Sequence, residues 1–221
     1  MSYVRFFQFD HLLQKSGRIG VVLVTLIFSG MAEARPLRLV ALGDSLTAGY
    51  QLGAQDAFPA RLEAALRAKG HDISIENAGV SGDTASAGLE RLDWSVGEGV
   101  DGVILELGAN DALRGINPAI TEAALDGILA RLKARNIPVL IAGMRAPRNN
   151  GAAFAAAFDG IFPRLAAKYQ VPLYPFFLEG IAGDKTLNLA DGIHPNPEGV
   201  GVIVSRILPD IEAFITRIRK P

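Results

Sequence analysis

The feature that most limits the fold is a recurring unit. A short apolar run, usually shut off by glycine, is followed by a stretch with apolar residues at helical spacing. Leu37–Leu42 ends at Gly43, and Val103–Leu107 ends at Gly108. Ile73, Ile75 and Asn77–Ala78 form a second run before the turn Gly79–Gly82, Pro138–Ala142 a fourth, and Val171–Tyr174 a weaker fifth. Apolar runs without alternation mark strands buried on both faces. Between them lie helical segments. Phe58, Leu62, Ala65 and Leu66 share a face, with Pro59 in the first turn and Gly70 past the end. Asp83 or Thr84 can cap a helix carrying Leu89 and Leu92. A helix over Pro118–Arg135 is expected to bury Ile120, Leu125, Ile128, Leu129 and Leu132, and an alanine-rich helix is expected over Ala152–Tyr169. The last helix opens at Asn196 and Pro197 and runs through Ile215, with Pro209 as a candidate kink. Strands joined by helices need right-handed crossovers. The prediction is an α/β fold: a five-stranded parallel sheet sandwiched between helices.

Composition narrows the function. The formal net charge is −1, which gives no long-range pull on nucleic acid or anionic lipid. There are no cysteines, which excludes disulfides, thiolate catalysis and cysteine-based zinc sites, and no metal or organic cofactor is expected. Arg5, Lys15 and Arg18 precede the apolar run Ile19–Phe28, and Ala32-Glu33-Ala34 follows it. This is the layout of a secretory signal, whose apolar centre is about 7–15 residues long. Cleavage is predicted after Ala34. That divides the chain into a signal peptide (1–34) and one domain (35–221), periplasmic or secreted and without stable membrane insertion. A transmembrane helix needs about 20 apolar residues, and this run is shorter.

The chemistry is expected at the C-terminal strand ends, where sites of such sheets lie. Three glycine-bearing loops leave those ends: Gly43–Gly49, Gly79–Asp83 and Gly108–Asn117. A fourth, Asp191–Asn196, precedes the final helix. Of the three histidines, His11 lies in the signal-like segment and His71 in a turn read as solvated. Only His194 has an acid three residues upstream in a glycine- and proline-punctuated loop. A serine hydroxyl is a poor nucleophile unless a base takes its proton, and the base needs a third group to fix its tautomer. Ser45, His194 and Asp191 supply those types. An acyl-transfer oxyanion needs donors aimed at it, and the N–H groups of Ser45 and Gly82 with the Asn110 amide are candidates. Asp44 and Asp111 read as shapers of their loops. Leu113 and Ile116 are candidates to line an acyl groove. Position 47 is Thr, so Gly-x-Ser-x-Gly is not met, and the tight Asp191–His194 spacing argues against a nucleophile elbow. Phosphate- and dinucleotide-binding glycine motifs are missing.

Gly43-Asp44-Ser45-Leu46, Gly82, Gly108-x-Asn110-Asp111 and Asp191-x-x-His194-Pro195 resemble, in order and spacing, the four blocks of the GDSL or SGNH hydrolase superfamily. Ala48-Gly49-Tyr50, Ser81-Gly82-Asp83-Thr84, Glu106-Leu107-Gly108, Leu113-Arg114-Gly115 and Pro175-Phe176-Phe177 resemble its bacterial periplasmic thioesterase I, lysophospholipase and arylesterase branch. The resemblance implies a flavodoxin-like three-layer α/β/α sandwich. It implies Ser45 as nucleophile, Asp191 and His194 as the rest of a triad, and Ser45, Gly82 and Asn110 as the oxyanion hole. Ala109 departs from the glycine common in close relatives. The expected activity is hydrolysis of carboxylic esters and thioesters of small acyl substrates, by a monomer in passing contact with lipid aggregates. A carbohydrate O-acetylesterase is the alternative, with few aromatics to stack a sugar. A non-catalytic lipid- or glycan-binding protein on the same scaffold is the other; it would not need the Asp191–His194 pair.

Overall fold

A computed structural model describes residues 35–219. The signal segment read at 1–34, with His11, lies outside the described residues.

The chain enters as strand β1 (Leu37–Gly43), which passes into a single helical turn, α1 (Ser45–Ala48). Helix α2 (Phe58–Ala68) leads to β2 (Ile73–Gly79). Two short helices, α3 (Ala85–Glu90) and α4 (Leu92–Ser95), precede β3 (Gly102–Glu106). Helices α5 (Ala109–Leu113) and α6 (Pro118–Ala134) lead to β4 (Val139–Ala142). After α7 (Ala152–Asp159) and α8 (Ile161–Tyr169) comes the two-residue β5 (Leu173–Tyr174), and α9 (Pro197–Ile218) closes the described chain.

All strand pairs are parallel, in the order β2-β1-β3-β4-β5. The chain moves outward from β1 to β2, then returns to build in the other direction from β3. Helices therefore cover both faces. α2 packs with α9, whose Phe214 and Ile218 lie over Gly102 of β3. α3 and α8 pack with α6, where Leu125, Leu129, Phe162 and Leu165 meet Leu105 and Ile141. β1, β3 and β4 are nearly continuous in burial, as their apolar runs require, while the edge strand β2 is exposed at Glu76 and Asn77. Among the described residues no helix is long and apolar enough to cross a membrane.

Four expectations need correction. The helix expected over 152–169 breaks at Gly160. Pro163 is the cause: it has no N–H for the Asp159 carbonyl, and its ring crowds that position. The helix capped by Thr84 stops at Glu90, so Leu92 opens a separate turn. Ile120 is exposed, because the buried stripe of α6 runs through Thr121, Leu125, Ile128 and Leu132, and Ile120 falls beside it. Thr121 holds the buried place by donating its hydroxyl to Asp111 Oδ1 at 2.9 Å. The loop read over Gly108–Asn117 contains the turn α5. Pro209, in contrast, lies inside α9, which continues past it.

Candidate active site

Ser45 stands where β1 ends and α1 begins, at the switch in strand order where open α/β sheets bind ligands. Asp44 caps the turn, its Oδ1 accepting from Leu46 N at 3.0 Å. Gly49, at φ +79°, ends the turn and donates to the Ser45 carbonyl. As the first residue of a helix, Ser45 has an N–H with no carbonyl one turn behind it.

Asp191 builds the opposing loop from its own chain. Its Oδ1 accepts from Ile193 N at 2.8 Å and His194 N at 3.0 Å, while Oδ2 lies 2.8 Å from His194 Nδ1. Leu189 N donates to the His194 carbonyl at 2.7 Å and holds the loop closed. The other imidazole nitrogen, Nε2, is 2.9 Å from Ser45 Oγ. The structure thus joins Ser45, His194 and Asp191 in one hydrogen-bonded chain. The His194 N–H holds Asp191 ionised, with the Ile193 N–H and the imidazole adding to it against slight burial, and its pKa falls to about 2. Tyr50 lies against the imidazole, ring centroids 4.4 Å apart. His71 is half-buried rather than solvated, with Nε2 3.4 Å from Glu212, and takes no part here.

The Asn110 amide is held from two sides: Nδ2 donates to Asp83 O at 3.0 Å and to Asp44 Oδ2 at 3.2 Å. Gly82, at φ +88°, is tied to α5 by Arg114, whose Nη2 donates to its carbonyl at 2.8 Å. Hydrogen bonds from Asn110 and Arg114 thus tie the turn over 80–83 to both ends of α5. Asp111 shapes its loop as expected, accepting from Ala85 N and Thr121 Oγ1, both at 2.9 Å.

A cavity of about 510 Å³ opens beside Ser45, Asn110 and His194. Its walls are mainly apolar, with Leu46, Leu113, Met144, Pro147, Phe176 and Ile193 among them, and Arg145 and Arg148 at its edge. Leu113 is part of this wall; Ile116 and Gly82 are not.

Three parts of the site had no role assigned from the sequence. Tyr50 ends the Ala48-Gly49-Tyr50 segment that resembles the branch, but nothing in the sequence places it against His194. The wall after β5 includes Phe176 of the Pro175-Phe176-Phe177 segment, with no role attached to it from sequence, and the wall after β4 comes from a segment with no motif. Glu106 left a trace, as the one acid in the apolar run Val103–Leu107 and as the first residue of the Glu106-Leu107-Gly108 segment that resembles the branch. It is fully buried, and its Oε2 accepts from Thr47 Oγ1 at 2.7 Å. Burial pushes Glu106 well above the usual carboxylate range, and the neighbouring Asp44 adds to this. Asp44 is raised to about 6 by its own burial, against the pull of the Leu46 and Asn110 hydrogen bonds.

The chain matches the model of the GDSL-like Lipase/Acylhydrolase family over residues 41–202. It is 39% identical over 162 residues to a protein of Vibrio mimicus named arylesterase, covering 73% of this chain and 81% of that one. It is 39% identical over 178 residues to the thioesterase 1/protease 1/lysophospholipase L1 of Escherichia coli K12, covering 80% and 84%. Among solved structures, AlinE4, an SGNH-hydrolase family esterase, superposes with a TM-score of 0.69 at 45% identity, covering 81% of this chain and 97% of that one.

Proposed function

We propose that this chain, which belongs to the GDSL-like lipase/acylhydrolase family, is a serine hydrolase that cleaves carboxylic esters and thioesters through an acyl-enzyme on Ser45. Family membership makes it an ester hydrolase; the proposal adds which residue performs which step. One observation carries it: the chain Ser45 Oγ, His194 Nε2, His194 Nδ1, Asp191 Oδ2, with contacts of 2.9 and 2.8 Å.

His194 takes the Ser45 proton as Oγ attacks the acyl carbon, and Asp191 balances the imidazolium that forms. The tetrahedral intermediate carries its charge on the former carbonyl oxygen. The N–H groups of Ser45 and Gly82 have no acceptor among the described residues and are available to it. Asn110, at the cavity wall, is the third donor, its amide turning from Asp83 or Asp44 toward the oxyanion. His194 then protonates the leaving alcohol or thiol. Water, activated by the same imidazole, attacks the acyl-enzyme and releases the acid.

The apolar cavity wall, Leu113 included, receives the acyl chain. Leu113 and Ile193 are each about half exposed at its edge, which suits passing contact of a monomer with lipid aggregates. A wall of this kind does not favour a sugar-borne acetyl group. Hydrolysis of p-nitrophenyl esters from acetyl to palmitoyl, with an acyl-CoA beside them, tests the reading. Activity is expected to extend beyond acetyl, and an alkylphosphonate is expected to label Ser45 at one equivalent. Turnover confined to acetyl would move the assignment to an O-acetylesterase, and a folded protein that neither turns over nor labels would be a binder.

The segment 1–34 is proposed to export the enzyme and to be removed after Ala34. N-terminal sequencing of protein recovered outside the cytoplasm is expected to begin at Arg35; an intact Met1 would overturn this.

A further inference from the structure

Glu106 is the buried acid that the steps above leave unused. It ends β3, in register with Gly43 of β1, immediately beneath the turn that carries Ser45. Its Oε2 has two donors, Thr47 Oγ1 at 2.7 Å and the more distant Asp44 N at 3.4 Å. Its Oε1 has no partner among the described residues. The space is made by Gly43, where a Cβ would collide with the Thr47 hydroxyl and with both the carbonyl and the carboxyl of Glu106. Three residues thus interlock: the absent side chain at 43, the hydroxyl at 47 and the acid at 106.

Among the described residues no cation neutralises this acid. Arg91 comes near, donating Nη2 to the Gly43 carbonyl at 2.9 Å, but its other nitrogens go to Asp83 and Ser95. The ionisable neighbour is Asp44, itself an acid. Asp44 has the better claim to the negative charge, with a donor on each oxygen, Leu46 N on Oδ1 and Asn110 Nδ2 on Oδ2, where Glu106 Oε1 has none among the described residues; His194 and the anion Asp111 are the other ionisable groups near it. An ionised Glu106 would bury a charged oxygen with no donor, which is costly in a dry interior.

We propose that Glu106 works as an uncharged carboxylic acid, its proton on Oε1, which pins Thr47 and so the turn carrying Ser45 to the central strand while Asp44 holds the negative charge. Glu106 is a positioning residue in this arrangement and rests on the reading of Ser45 as nucleophile. The charge state has its own signature in stability. An acid protonated in the folded state and ionised in the unfolded state makes folding less favourable as pH rises from the unfolded toward the folded pKa. Asp44 contributes the same trend only up to about pH 6, so the trend above that belongs to Glu106.

The test compares the full-length enzyme with Glu106→Gln, Glu106→Leu and Thr47→Val. Glutamine keeps the acceptor for Thr47 and cannot ionise. It is expected to retain kcat within about threefold. Glu106→Leu and Thr47→Val each lose the clamp and are expected to lose about tenfold to a hundredfold in kcat at nearly unchanged KM, the cost of a displaced nucleophile. The melting temperature of Glu106→Gln is expected to gain on wild type from pH 6 to 9 by about 3 °C per pH unit until Glu106 ionises. A gap that stays flat over that range, or a glutamine form as impaired as the leucine form, would overturn the proposal. Should Glu106→Gln fail to fold, the wild-type infrared spectrum decides: the band of a protonated carboxyl persists above pH 7 if the proposal is right and is missing if it is wrong. The melting and infrared readings do not depend on Ser45. If Ser45 were not the nucleophile, Ser45→Ala would keep its turnover whichever way they fell.

Discussion

Ser45→Ala is expected to abolish ester hydrolysis, with kcat falling by about 10⁴-fold or more. The size follows from position. Ser45 Oγ bonds only His194 Nε2 among the described side chains, so removing it takes away the atom that becomes acylated and little else. The fold should not suffer. The turn is capped by Asp44 Oδ1 and closed by Gly49 N–H, neither of which uses the serine hydroxyl. Near-wild-type melting together with loss of turnover and of phosphonate labelling is the expected pair of results. A variant that keeps a tenth of the wild-type rate would sink the assignment, since water cannot replace a held nucleophile at that level.

Asp191→Asn should cost nearly as much, about 10⁴-fold in kcat with a far smaller change in KM. The carboxylate performs two tasks with two oxygens. Oδ1 collects the N–H groups of Ile193 and His194, and Oδ2 faces His194 Nδ1. An amide has one acceptor and one donor. If its oxygen keeps the backbone N–H groups, its NH₂ faces Nδ1 and forces the ring proton onto Nε2, where Ser45 needs a base. If its oxygen turns to Nδ1, NH₂ meets two backbone donors and the loop opens. Either way the imidazole is wrong for proton abstraction. Because the backbone N–H groups hold Asp191 near pKa 2, wild-type loss of activity in mild acid should not come from this carboxylate. Steady-state kinetics of Asp191→Asn across pH read both points; a form within tenfold of wild type would show that the acid does not set the tautomer.

Parts of this molecule can be read locally and parts cannot. The alternation of strand and helix follows from apolar runs and their glycine stops, because each depends on residues only a few positions apart. The break at Gly160 was also local, written in Pro163, and was masked by the alanine-rich composition around it. The exposed Ile120 was not legible in the same way, because Thr121 wins the buried place through a bond to Asp111, on another element. Likewise, Leu113 and Ile116 looked alike as apolar loop residues, and only the direction of the chain after α5 puts one of them on the cavity wall.

The same division runs through the site. Asp191 and His194 are three residues apart, and the aspartate folds its own loop around the imidazole backbone, so their pairing belongs to the sequence itself. The glycine turns at 82 and 108 belong to it too, since both sit at positive φ, whereas Gly43 answers to tertiary packing: its missing side chain makes room for Glu106 of another strand. The 2.9 Å contact between His194 and Ser45 spans 149 positions, and it exists only because parallel strand order brings the first strand's end beneath the last loop. Tertiary structure alone also decides the state of Glu106. An acid's charge depends on which donors and dipoles surround it, and burial against Thr47 and Asp44 removes water without supplying a cation.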